Sequence, residues 1–564
     1  MTRPVQPVRP NFYKGIRIIP QNSLLSGPLR ERKLLGTISL RFLDSHRLLV
    51  FAIASGLWVL LIYGRTLTAP FVYDDLDQIV NNKFLNSFHS LVTHFLSRSV
   101  QFSTEFRGSQ SGSTYRPIYW VDLFAERHLW GIFLPRYFHL TNILLHWANG
   151  IALFGLLSRL SIPTRIAAIS SLVWLMLPIN SEVVSWISAR SYLFCTLFIL
   201  LALWTAVKYV TSPTNVGLLC YFWLSVAALL SNECGIVLVL LIFLLPTMVK
   251  ASVRALIPLC LLSAFSGILY VSLRFLTGSH RGQGAPQFYT CGVIFSKYLL
   301  WLIFPFQMSI ERSTSLPKEE LSLVSVCALA FLLAYFGLAF LLLKYRRLVG
   351  FGLLWTGICL LPYCGFIYIY QGMAERFEYL ASIGVVLALM SALVGLKSNR
   401  AIATVGLLVW LSWGMWRLQI RITDWGDPVL LYQHSLEATP NSKTLSLDLA
   451  STLVGDGVAA DNRGDNGAAE ALFEKAITVA PLNNAAYNDL GALYVRMRRI
   501  DAAIQCFTKS TELNPNDPTP FFNLGILFRQ LRQDDVALPF FKKALELKPG
   551  DPETISEIAQ LRVR

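Results

Sequence analysis

Eleven apolar runs dominate the chain, at roughly 48–64, 137–157, 164–180, 185–209, 216–232, 235–249, 252–273, 320–343, 349–370, 378–396 and 401–417. Each approaches the ~20 residues a helix needs to cross ~30 Å of hydrocarbon. With 54% hydrophobic residues, 15% charged residues and a mean hydropathy of +0.50, the 564-residue chain is more apolar than a water-facing domain tolerates. A net charge of +15 would suggest nucleic acid in a soluble protein. Here the basic residues lie in short segments between apolar runs, which is a topology signal and excludes a nucleic-acid surface. The nine cysteines sit mostly inside apolar runs, as Cys195, Cys220 and Cys359 do, with no CxxC pair. They read as small core residues, without a disulfide framework or metal knuckle.

Residues 1–47 carry nine Lys/Arg against two acids, Glu31 and Asp44, and lack the apolar core and cleavage site of a signal peptide. They read as a basic cytoplasmic tail facing an anionic leaflet. Eleven spans then place the two chain ends on opposite sides, and Arg159, Arg165, Lys208, Lys250, Arg254, Lys344, Arg346, Arg347, Lys397 and Arg400 all fall in loops facing the cytoplasm. A further apolar stretch, about 291–310, would break that pattern if it crossed, so it is expected to dip into the membrane or lie along it. The alternative is twelve spans.

The first extracytoplasmic loop, 65–136, opens on Phe71-Val-Tyr-Asp-Asp-Leu-Asp-Gln78, with three carboxylates (Asp74, Asp75 and Asp77) within four residues. They are either a solvated turn at the membrane boundary or a chemical centre. Beyond them Phe84, Leu85, Phe88, Leu91, Val92, Phe95 and Leu96 recur at helical spacing, predicting a helix that lies at the interface or packs on the core. The Gly/Ser-rich strip from Gly108 to Ser113 reads as mobile.

Polar residues recur within the apolar part. His139, Asn142, His146 and Asn149 form one stripe of the second span, either helix-to-helix glue or a substrate contact. The two histidines are seven residues apart, beyond the i, i+4 spacing that shares a metal ion. No metal site is assigned. Glu182, Trp186 and Arg190 recur every fourth residue, Glu233 opens the sixth span, and Glu375-Arg376 precedes the tenth. Charges at such depths are paired or functional.

From about 441 the composition turns water-soluble and a 34-residue period appears, after a linker at 418–440. Tyr487, Leu490, Gly491, Tyr494, Ala503, Phe507, Ser510 and Pro515 are matched by Phe521, Leu524, Gly525, Phe528, Ala537, Phe541, Ala544 and Pro549. This is the signature of tetratricopeptide helix pairs. Phe473, Ala476 and Pro481 extend the phase back into a first repeat expected to be interrupted between Gly455 and Gly467. About three repeats make a short solenoid, 441–564, with a concave face for a peptide or protein.

The acidic pair, Tyr115-Arg116-Pro117, the Phe138–Asn149 stretch, Pro178 with Glu182 to Arg190, Glu233, Leu361-Pro362, Glu375-Arg376-Phe377 and the terminal repeats together resemble the transmembrane and tetratricopeptide repeat-containing protein O-mannosyltransferases and their prokaryotic relatives. The resemblance runs from about residue 48 onward. It implies an all-α architecture, a polytopic GT-C helical bundle over 48–417 followed by the solenoid. It also implies an inverting glycosyltransferase that takes a mannose-like hexose from a polyprenyl-phosphate donor, with Ser/Thr of proteins as acceptor. Where relatives often carry His-Pro-x-His before the glutamate, this chain has Leu177-Pro178-Ile179-Asn180, and where they often have Lys-Glu it has Asn232-Glu233.

Chemistry supports the same assignment. A polyprenyl phosphate is already a good leaving group and needs charge neutralisation more than protonation, which leaves one carboxylate as base for the incoming hydroxyl. Asp74 or Asp75 fits that role, while its neighbour orients it, binds a divalent cation or holds the sugar. Arginine forks suit phosphate oxygens, making Arg116, Arg190 and Arg376 the candidates for the leaving phosphate. Glu182, Glu233 and Glu375 are expected to position arginines or sugar hydroxyls, with Asp77, His139 and Asn142 as further supporting residues. Two other classes stay open: a non-catalytic membrane scaffold recruiting partners through the repeats, and a transferase acting on another glycan or a lipid. No Asn-x-Ser/Thr sequon occurs, which favours a bacterial cytoplasmic membrane with periplasmic repeats over the endoplasmic reticulum.

Overall fold

The computed structural model describes residues 46–96, 115–132, 134–250, 252–276, 288–312, 322–365, 373–396 and 399–563. The basic tail, the Gly108–Ser113 strip and Lys397 lie outside the described residues. The chain divides into two units after Ile53, within the Arg47–Tyr63 helix. The described residues are helical and turn, with no strand among them.

Six helices are long and apolar enough to cross a membrane: Arg47–Thr68, Pro135–Arg159, Ile187–Thr211, Arg254–Leu276, Leu323–Tyr345 and Ala401–Gly426. Fewer unbroken helices than the eleven expected spans reach this length, because several runs carry breaks that an apolar count does not register. The 164–180 run stops as a helix at Leu175, and Pro178–Ser185 continues it after a 54° bend. The 235–249 run is three short turns, with Pro246 removing a backbone donor from the last. Asn215–Ser231, Glu233–Thr247, Cys291–Ile303, Arg347–Tyr363 and Ser382–Val394 are shorter apolar helices of 10–17 residues. The 13-residue Cys291–Ile303 helix rises only about 20 Å at 1.5 Å per residue, too little for a full crossing.

Local chemistry sets several boundaries. Proline stands at the first turn of Pro117–Trp130 and Pro135–Arg159, where its missing N–H costs nothing. Asn232 accepts from the Cys234 N–H at 3.0 Å and starts the Glu233–Val237 turn. Arg347–Leu360 and Ser382–Val394 touch backbone to backbone, since a Cβ on Gly352 would meet the Gly384 carbonyl at 2.4 Å.

Ile79, Leu85, Leu91, Tyr119, Trp120, Leu123, Phe138 and Ile187 form one buried cluster beneath the first loop. The amphipathic piece, Phe88–Leu96 with the preceding Lys83–Asn86 turn, therefore packs on the core through Leu85 and Leu91 and leaves Phe84 and Phe88 exposed.

Residues 418–440 are not an extended linker. The helix over Arg400–Gly426 runs into them, and Pro428–Ala438 follows as a helix capped by Asp427. The solenoid is three antiparallel pairs, Lys443–Asn462 with Asn466–Val479, Asn484–Arg496 with Ile500–Leu513, and Pro518–Gln530 with Asp534–Leu547, closed by Pro552–Val563. The first pair has no interruption at Gly455, which lies inside a continuous helix. Gly457, Gly491 and Gly525, each 34 apart, face Phe473, Phe507 and Phe541, where a Cβ would come within 2.6, 2.8 and 2.7 Å of the ring. The period thus covers the first repeat as well. Ser442, which caps the first solenoid helix, also donates to Glu311.

Candidate functional site

The acidic stretch folds as a tight turn at the end of the first apolar helix. Tyr73 adopts φ 55°, a left-handed conformation that costs a non-glycine residue about 1–2 kcal/mol and persists only where its surroundings hold it. The hold comes from burial of the Tyr73 ring against Trp186, with centroids 5.6 Å apart, and from the Asp75 N–H donating to the Val72 carbonyl at 3.0 Å. The turn separates the two acids. Asp75 is fully buried, and its Oδ1 accepts from Ser188 twice, from the backbone N–H at 2.8 Å and from the hydroxyl at 2.5 Å. Its Oδ2 faces the Val72 N–H at 3.4 Å. Burial pushes the Asp75 carboxyl up to about 7, with the Ser188 and Val72 hydrogen bonds pulling against it and the Asp74 charge adding to it. Asp74 and Asp77 are half-buried. Beyond them the Leu76–Val80 turn is pinned by Arg127, which donates to the Ile79 and Asn82 carbonyls at 2.5 and 2.9 Å.

Each predicted arginine meets a carboxylate. Arg116 makes a two-pronged pair with Glu233 at 3.1 and 3.0 Å and also donates to Ser191 at 3.2 Å. Arg376 pairs with Glu182, which also accepts from the Arg376 backbone N–H at 2.8 Å. Its guanidinium lies over Trp186 at 5.2 Å, so Trp186 joins it to the Tyr73 turn. Tyr192 lies within electrostatic reach of both Arg116 and Arg376 and brings these two arginines to one region.

Arg190 is turned the other way. Wholly buried, it donates to Asp122, Glu126, Asn142 Oδ1 at 2.7 Å and the Phe138 carbonyl at 2.6 Å. Four protein acceptors on one guanidinium make it a joint between helices, in contrast to the phosphate ligand that its residue type suggested. Asn142 completes the joint by donating to the Val184 and Trp186 carbonyls at 3.2 and 3.1 Å, which fixes the turn that carries Ser188.

The remaining supporting residues separate similarly. His139 is buried beside the Ala69 and Pro70 backbone. His146 contacts the Tyr379 hydroxyl at 2.7 Å and the Leu175 carbonyl at 3.1 Å, a helix-to-helix link. Glu375 accepts from the Ser309 N–H at 2.7 Å and faces Arg312 and Arg421 at 3.4 and 3.6 Å. Among the described residues no group of three His, Cys, Asp or Glu could hold a metal ion.

Sequence reasoning passed over Ser188, Asp122, Glu126, Arg127, Arg312 and Arg421. Ser188 carries no signal, since a lone serine in an apolar run is ordinary. Asp122 and Glu126 sit one turn apart on a helix, a spacing that could have marked a site for a cation such as Arg190.

The arrangement defines a class: a polytopic helical membrane protein with a buried carboxylate turn, two converging arginine–carboxylate pairs and a tetratricopeptide solenoid. The tetratricopeptide repeat family matches at residues 485–517 and 521–553. Protein O-mannosyl-transferase TMTC4 of Mus musculus is 30% identical over 198 residues, 31% of this chain and 26% of that protein. Protein O-mannosyl-transferase TMTC1 of Mus musculus is 28% identical over 192 residues, covering 31% and 20%. A protein O-mannosyl-transferase of Caenorhabditis elegans is 24% identical over 438 residues, covering 71% and 59%. The match thus spans about a quarter or less of the mouse relatives. Together with the repeats, these matches make the chain similar to transmembrane and tetratricopeptide repeat-containing protein O-mannosyltransferases.

Proposed function

We propose that the protein is an integral-membrane glycosyltransferase that moves a mannose-like hexose from a polyprenyl-phosphate donor to Ser/Thr hydroxyls of a protein, with inversion. The observation that carries the reading is the division of labour in the acidic turn. Asp75 is held inside by Ser188, whereas Asp74 is only half-buried. Asp74 is then the base that takes the proton of the acceptor hydroxyl as its oxygen attacks the anomeric carbon. Asp75 is the positioning residue that fixes the turn. The lipid phosphate leaves as an anion, and Arg116 and Arg376 neutralise it as their pairing with Glu233 and Glu182 is shared with the phosphate. The names of the relatives support a protein acceptor, and the solenoid supplies a surface to present one. The site faces away from the cytoplasm, in a bacterial cytoplasmic membrane with periplasmic repeats or in the endoplasmic reticulum.

The test supplies membranes bearing wild type, Asp74→Asn or Asp75→Asn with radiolabelled polyprenyl-phosphate mannose or glucose and follows label into protein. Wild type labels protein, Asp74→Asn abolishes label at normal expression, and Asp75→Asn reduces it. Absence of wild-type labelling with either donor would move a scaffold role to the front.

A further inference from the structure

The Cys195 and Cys234 sulfurs lie 3.2 Å apart, both cysteines buried and both present as thiols. Two thiols reach each other there because Asn232 fixes the turn. Its side chain accepts from the Cys234 N–H at 3.0 Å and donates to Ser191 at 3.1 Å, one helical turn before Cys195. Behind the turn the chain has no slack: a Cβ on Gly235 would meet the Ala228 backbone at 2.9 Å. A disulfide places its sulfurs about 2.0 Å apart, so closure asks for roughly 1.2 Å of approach, within the reach of side-chain rotation. Among the described residues no other pair of cysteine sulfurs makes such a contact.

We propose that Cys195 and Cys234 are a dithiol/disulfide pair, a covalent clamp that ties the Glu233–Val237 turn to the Arg190–Thr211 helix. Closure releases one proton from each thiol and passes two electrons to an oxidant of the disulfide class, whose own S–S bond is reduced to two thiols. An oxidising compartment supplies such oxidants. The buried thiols close most readily during assembly, while thiolate can still form. Closed, the clamp fixes the turn that carries Glu233, the partner of Arg116. The inference rests on the sulfur geometry and does not depend on the transfer reaction.

The experiment maps thiols in the full-length protein. Membranes are solubilised without reductant, free thiols are blocked with an alkylating reagent in denaturant, and peptides are mapped before and after reduction. A parallel sample is first exposed in folded form to oxidised glutathione. The expected result is a peptide pair joined through Cys195 and Cys234 in at least the glutathione-treated sample, with the remaining cysteines alkylated before reduction. Cys234→Ala removes the joined pair and leaves Cys195 alkylated. Cys195 and Cys234 both alkylated before reduction in both samples, or either joined to another cysteine, overturns the proposal.

Discussion

Ser188 donates two hydrogen bonds, one from its backbone and one from its hydroxyl, to the same oxygen of Asp75, a residue 113 positions earlier in the chain. The acidic turn is thereby tied to the fourth predicted span, and the tie is what distinguishes Asp75 from Asp74.

Ser188→Ala removes the hydroxyl donor and leaves the backbone donor. Loss of one hydrogen bond to a buried carboxyl should cost about 1–3 kcal/mol. The solubilised protein should melt earlier while still folding, and transfer should fall with the loosened turn. A melting curve that coincides with wild type would show that the hydroxyl contributes nothing.

Asp75 also gives a pH dependence. Burial holds its folded-state carboxyl at about 7, above the ordinary aspartate value of 3.8, so between these values the folded protein binds the extra proton. Stability from this group is present below about pH 4 and is lost as pH rises toward 7, with a slope of at most about 1.4 kcal/mol per pH unit. Asp75→Asn cannot titrate and should flatten that part of the profile. Thermal melts of both proteins from pH 4 to 8 read the difference directly, and parallel profiles would remove Asp75 as its source.

Arg190 and Arg116 should respond differently to removal. Arg190→Ala strands Asp122 and Glu126 beside a buried void, a loss of about 3–5 kcal/mol, and the protein should accumulate poorly in membranes. Arg190→Lys should rescue incompletely, because an ammonium cannot serve Asn142, the Phe138 carbonyl and two carboxylates in one plane. Arg116, 16% exposed at its side chain, should tolerate substitution to Gln with near-normal expression while donor affinity falls about tenfold or more. Expression blots with donor titrations separate the two, and equal accumulation of Arg190→Ala and wild type would refute the joint.

In the solenoid, Gly457, Gly491 and Gly525 occupy one structural position under Phe473, Phe507 and Phe541. Alanine at each forces a ring to shift, costing about 1–3 kcal/mol against at most ~1 kcal/mol gained in helix propensity. Hydrogen exchange across 443–547 in the full chain should show lost protection local to the substituted repeat. If Gly457→Ala behaves unlike the other two, the first repeat does not share their packing.

Much of this organisation was legible in the residues. The 34-residue period located the solenoid because each repeat must bury the same face against its neighbour, and so repeats the same residues. Only the first repeat was misread, since Gly455 resembles a breaker in isolation but lies inside a helix. Span counting was less secure. Hydropathy registers composition, and a run such as 164–180 stays apolar through the bend before Pro178.

The sequence by itself determined that the chain is helical, embedded in a membrane and closed by tetratricopeptide repeats, because periodicity and apolar length are local properties of consecutive residues. It also singled out the acids and arginines by residue type. Only the tertiary structure decided their roles. Asp75 is drawn inward by Ser188, Arg190 is spent on Asp122 and Glu126, and Arg116 and Arg376 pair with Glu233 and Glu182. Those pairings join residues tens to hundreds of positions apart. A buried charge is stable only beside its complement, and the complement is chosen by how helices pack rather than by what stands next in the chain.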